Sequence, residues 1–145
     1  MAIPKAKRNP NGTYGPTTTG DFYFSKSDHR RSASFKKNKT RWCIEEGQEY
    51  HIFKIANEPK PFWFCKENNC LFGFFFTGES MLSLGQDGEI LAKFPNINNI
   101  TDPWHGYPVK TEEPQNRPCS ELLDYLFQEN KINYSFRIKI ERGTI

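Results

Sequence analysis

The sequence predicts a single α+β domain: an antiparallel, twisted β-meander of about six strands, one helix in the C-terminal half, and a final strand after it. Three observations carry this reading. Aromatics make up 15% of the 145 residues and Phe alone supplies 13, so burial runs through large rings on strands rather than through Leu-rich helices. From residue 42 onward, short apolar runs alternate with turn-forming residues. One stretch, beginning near Pro118, carries apolar residues at the spacing of a buried helical stripe. The length suits one domain with a real core and is too short for two full ones.

Charge divides the chain. Residues 1–41 hold ten Lys/Arg against two Asp, a net +8, whereas residues 42–145 hold ten Lys/Arg against fifteen Asp/Glu, a net −5. The expected organisation is therefore a basic N-terminal arm or segment, 1–41, on a compact α+β domain, 42–145. A basic front of this kind suits a polyanion such as nucleic acid, an acidic protein surface, or the chain's own acidic body.

The arm opens with turn-forming combinations, Asn9-Pro10-Asn11-Gly12 and Tyr14-Gly15-Pro16, and is expected to lack regular structure. Phe22-Tyr23-Phe24 reads as a short strand. The basic run that follows includes Arg30, Arg31, Lys36, Lys37, Lys39 and Arg41, with Phe35 and Trp42 bracketing its second half. Cations interleaved with rings suit a single strand, because cations hold the backbone and rings stack on bases. A solvated face is the plain alternative for such a run.

Residues 42–45 and 50–56 are expected as strands joined by a turn at 46–49. Residues 62–66 and 71–76 are expected as a second pair, joined through Glu67-Asn68-Asn69. Residues 81–84 and 89–94 are expected as a third hairpin, through Gln86-Asp87-Gly88, the strongest hairpin signal in the chain. The helix takes Cys119, Leu122, Leu123, Leu126 and Phe127 as its buried stripe, with Glu121 and Asp124 near its positive end and Asn130 as its stop. In the last element Tyr134, Phe136, Ile138 and Ile140 alternate with polar residues, a period of two that predicts a strand with Arg137 and Lys139 on its wet face.

The most distinctive run is Thr101-Asp102-Pro103-Trp104-His105-Gly106-Tyr107-Pro108-Val109. Pro103 and Pro108 bar it from a helix interior or a central strand, and Gly106 permits a turn with positive φ. Two readings follow. Asp102 lies three residues before His105 and is placed to orient its imidazole for acid–base work. Alternatively Trp104, Gly106 and Tyr107 form a structural plug whose polar tips find one hydrogen bond each.

Cys65 and Cys70 flank a loop at 66–69, so a hairpin there makes the thiols cross-strand neighbours. Such a knuckle suits two zinc ligands, but Cys43, Cys119, His51 and His105 form no second close pair. Reduced cysteines in a cytoplasm are the expectation, with no metal and no cofactor. No apolar run is long enough to span a bilayer and no secretory h-region is visible, so no membrane role is expected.

The function expected is a small non-enzymatic protein that engages RNA or single-stranded DNA through its basic segment. The first alternative is a metal-independent nuclease of the toxin or defence kind. His105 and His29 would exchange protons, and Arg30 or Arg31 would stabilise the pentavalent phosphate. The second is an interaction module for an acidic protein partner.

Overall fold

The computed structural model describes residues 2–26, 29, 40–58, 63–96 and 103–145. The architecture is α+β. In chain order come helix α1 (Glu46–Asn57), strands β1 (Phe64–Cys65), β2 (Cys70–Gly73), β3 (Leu91–Pro95) and β4 (Tyr107–Val109), then helices α2 (Ser120–Gln128) and α3 (Tyr134–Arg142). The strands form one antiparallel sheet in the order β1-β2-β3-β4. Among the described residues the sheet therefore has four named strands rather than about six.

The reading was wrong at 46–57, where a turn and a strand were expected. Gln48 accepts the Glu45 backbone N–H at 2.8 Å, closing the first turn from its own side chain. Glu46 and Glu49 lie in the first turn and Lys54 in the last, which suits the helix dipole. Glu49, Ile52, Phe53 and Ala56 are buried at helical spacing. The aromatic and β-branched content of this stretch argued for a strand, and packing of that face onto β2 outweighs the propensity.

The last element is also a helix, not a strand. Asn133 caps it, accepting the Phe136 N–H at 2.9 Å, and Gly143 ends it with φ of +70°. Arg137 and Lys139, expected side by side, diverge: Arg137 pairs with Asp124 and Glu141, whereas Lys139 lies over the Phe136 ring. Within α2, Leu122, Leu123 and Leu126 are buried as expected. Cys119 instead occupies the N-cap, and Phe127 is turned outward, 38% exposed.

The hairpin of β1 and β2 sets Cys65 directly opposite Cys70. The Gln86-Asp87-Gly88 turn is formed, with Gly88 at φ +83° and the Leu84 N–H on the Glu89 carbonyl at 2.7 Å. Residues 42–45 and 81–84 add isolated bridges, Trp42 to Gly85 and Phe76 to Met81, rather than further strands. Pro108 lies on β4, an edge strand, where a missing donor costs no ladder bond.

The core is an aromatic knot. Phe53 of α1 and Phe94 of β3 meet at 5.5 Å, and Tyr23 packs on both, at 5.4 and 5.9 Å. Trp42 closes on Phe94 and Trp104 on Phe53. Ile3, Tyr14 and Tyr23 from the first part of the chain belong to the same core. The Ala6 N–H reaches the Gly47 carbonyl, and Asn57 accepts Thr17 and Thr19 at 2.6 Å each, so this part is laced along α1.

Gly106 differs from expectation in its reason. Its φ is not in the left-handed region; instead a Cβ there would sit 2.2 Å from the Phe94 ring and 2.7 Å from the Lys93 carbonyl. Space, not backbone freedom, demands glycine. Gly106→Ala is expected to lose about 3 kcal/mol of stability, the upper range for overpacking, in urea unfolding; a loss below about 0.5 kcal/mol would show that β3 and the loop move apart at no cost.

Candidate nucleic-acid interface

Residues 22–24 form an extended ribbon between two neighbours. Tyr23 exchanges both backbone hydrogen bonds with Tyr14, at 2.8 and 2.9 Å. On the other side Trp104 donates to the Phe22 carbonyl at 2.8 Å and accepts from the Phe24 N–H at 2.7 Å. Alternation on an extended chain then sends Tyr23 one way and its neighbours the other. Tyr23 is fully buried, while Phe22 and Phe24 are each 39% exposed. The result is a pair of accessible phenyl rings about 7 Å apart along the ribbon, from the rise per residue of extended chain. Their exposure was not read from the sequence, although the alternation of Phe22-Tyr23-Phe24 contained it.

The ribbon leads into the basic run, whose two ends are held together. The Trp42 N–H donates to the His29 carbonyl at 2.9 Å. His29 Nδ1 lies 2.7 Å from the Thr40 carbonyl; a carbonyl only accepts, so Nδ1 carries the proton. The Thr40 hydroxyl donates to the Pro108 carbonyl, and the Trp42 indole to the Gly106 carbonyl at 3.2 Å. His29 and the segment 40–42 are thus held together, anchored on Pro108 of β4 and on Gly106 just before it. Between these ends, residues 30–39 carry Arg30, Arg31, Lys36, Lys37 and Lys39 and no acid. These cations and Phe35 lie outside the described residues, as does Asp102.

The other site residues can be placed. Trp42 is fully buried against Phe94, which leaves no ring face for a base. Arg41 is half-buried beside it. His29 is 6% exposed and stacks on Tyr107 at 4.8 Å and 15°. Tyr107 is half-buried, and burial pushes its phenol above the usual range. Trp104 and His105 are half-buried in the segment that leads to β4. The structure therefore joins His29, Thr40, Trp42, Gly106, Tyr107 and Pro108 in one stem, with Trp104 bonded to the ribbon.

A cleft of about 740 Å³ opens at the foot of this stem, lined on one side by His29, Thr40 and Tyr107. Lys93 and Lys110 face it, but so do Asp87, Glu89, Glu112 and Glu113. Lys93 is already bonded to the Gln115 carbonyl at 3.0 Å and to Asn116 at 3.2 Å. With acids in excess the cleft is a poor seat for phosphate.

Among the described residues, no group of three or more His, Cys, Asp or Glu is placed to hold a metal ion. None of their helices is long and apolar enough to cross a membrane. No protein-family model matches the chain, and no curated protein and no solved structure matches it either.

Proposed function

We propose that this protein is a non-enzymatic module for single-stranded nucleic acid, RNA or DNA. The basic run at 30–39 grips the phosphate backbone, and Phe22 and Phe24 stack on bases. The observation that carries the proposal is the anchored stem: the ends of a run with five cations and no acid are fixed at one point, next to a ribbon that presents two exposed rings. Stacking tolerates any base, so the module would read charge and single-strandedness rather than sequence. Trp42, buried, supports the stem and not the stacking.

A gel-shift salt series with labelled single-stranded RNA, single-stranded DNA and duplex DNA tests it, each sample run native and denaturing. Salt-sensitive shifts with intact single strands are expected. Neutralising Arg30, Arg31, Lys36, Lys37 and Lys39 with glutamine should flatten the slope of log affinity against log salt by about 3.5, at ~0.7 per phosphate contact. Phe22→Ala with Phe24→Ala should weaken binding roughly 10- to 100-fold per ring, with unfolding little changed. Unchanged binding in both variants would sink the proposal. Strands shortened in the presence of chelator, and spared by His105→Ala, would replace it with the nuclease reading. No shift even at low salt would transfer the basic run to an acidic protein surface.

A further inference from the structure

Three of the four cysteines converge where the β1–β2 hairpin meets the start of α2. Cys65 and Cys70 are cross-strand partners, both fully buried. Cys119, at the N-cap of α2, lies against Cys65: its backbone N–H donates to the Cys65 sulfur at 3.0 Å. Cys119 is partly exposed whereas Cys65 and Cys70 are fully buried, so of the three it is the residue that solvent reaches. Cys43, the remaining cysteine, is exposed and donates to the Ser83 carbonyl at 3.6 Å.

We propose that Cys65 and Cys119 form a reversible disulfide on exposure to a hydroperoxide, with Cys119 as the thiol attacked first and Cys65 as the resolving partner. The step balances as follows. The Cys119 sulfur attacks one oxygen of hydrogen peroxide; an S–O bond forms, the O–O bond breaks, and the leaving hydroxide takes the thiol proton as water. The Cys65 sulfur then attacks the sulfur of the Cys119 sulfenic acid; the S–S bond forms, the S–O bond breaks, and the leaving hydroxide takes the Cys65 proton as a second water. The two thiols lose two electrons between them and the peroxide gains both.

Burial decides the order and the pairing. It holds the Cys65 thiol far above its usual range, and it pushes Cys70 up to about 11 against the pull of Lys93. Both stay protonated and out of the oxidant's reach, which makes a direct Cys65–Cys70 bond the slower route despite the cross-strand register. Cys65 is the resolving partner because its sulfur already accepts the Cys119 backbone N–H at 3.0 Å, and its proton passes to the departing hydroxide as the S–S bond forms. The bond would tie β1 to α2 across 54 positions of sequence.

The full chain carrying Cys43→Ser, which removes the exposed thiol as a source of intermolecular bridges, is treated with hydrogen peroxide, alkylated and digested. The expected product is a Cys65–Cys119 linked peptide pair about 2 Da lighter than its two thiol peptides and separable by dithiothreitol. With Cys65→Ser added, a dimedone adduct should accumulate on Cys119 instead. The linked peptide in the Cys43→Ser chain decides the matter even if Cys65→Ser fails to fold. A Cys65–Cys70 pair, or oxidation that leaves both Cys65 and Cys119 alkylatable, would overturn the proposal.

Discussion

Trp42→Ala is expected to lose about 4 kcal/mol of unfolding free energy, the middle of the range for emptying a buried aromatic site. The side chain is fully buried, its ring packs on Phe94, and its Nε1–H donates to the Gly106 carbonyl at 3.2 Å. Removing it opens a cavity beside the central ring of the core and orphans the carbonyl of a residue that cannot move away, since Gly106 is wedged against Phe94 and Lys93. Trp42→Phe keeps most of the volume and loses the hydrogen bond, so about 1–2 kcal/mol is expected from the bond and a smaller cavity together. Urea unfolding measures both. A Trp42→Ala loss under about 1 kcal/mol would mean the site collapses around the gap. Trp42→Phe also separates structure from binding. If Trp42 works through the stem, this variant should bind single strands as wild type does, whereas loss of the two phenyl rings at 22 and 24 should not be tolerated.

The legible parts of the fold were those where local chemistry and packing agree. Asp87-Gly88 demanded a left-handed turn and made one. Cys65 and Cys70 sit opposite each other across the loop at 66–69, the register that the spacing suggests. Leu122, Leu123 and Leu126 wrote a helical stripe that the core uses. The failures share a cause. At 50–56 the residues Tyr50, Ile52, Phe53 and Ile55 have strand-like side chains, and at 134–140 apolar residues alternate. In both places the termini held the correct answer: Glu45 with Gln48 at one helix, Asn133 and Gly143 at the other. A cap is one or two residues, and an interior pattern of seven outweighs it on the page. In three dimensions α3 buries only Ile140 fully, so its alternation never had to be satisfied by a sheet.

The candidate site was legible in charge and illegible in rings. Basic residues announce themselves in a linear count. Which aromatics are open depends on what lies behind them, and that is set by partners far along the chain. Trp42 looked available because it borders the basic run, yet it pairs with residues 85, 94 and 106. Phe22 and Phe24 looked like ordinary strand residues, and they are left outside because Tyr23 alone faces the core. The loop at 103–109 was recognised as shaped, but its work as the strut for the stem follows from long-range bonds to Phe22, Thr40 and Trp42 that no spacing encodes.

Glu49→Ala is expected to destabilise the protein by about 3 kcal/mol, because it strips the acceptor from two buried hydroxyls at once. Glu49 is fully buried on α1; Tyr23 donates to Oε1 at 2.8 Å and Ser25 to Oε2 at 2.9 Å. These two bonds help fasten the inner face of the ribbon to the helix, beside the packing of Tyr23 on Phe53, while Phe22 and Phe24 look outward on its other face. Tyr23→Phe removes one donor and keeps the packing, for about 1 kcal/mol. The double variant should cost less than the sum of the two, by about 1 kcal/mol or more, since the Tyr23–Glu49 bond is then counted once. Strict additivity in urea unfolding would show that this bond contributes nothing. The cycle also bears on binding. If the ribbon is held by Glu49, Tyr23→Phe should lower the affinity for single strands less than Glu49→Ala does, because the first leaves the Ser25 tether in place and the second releases the platform from beneath both rings.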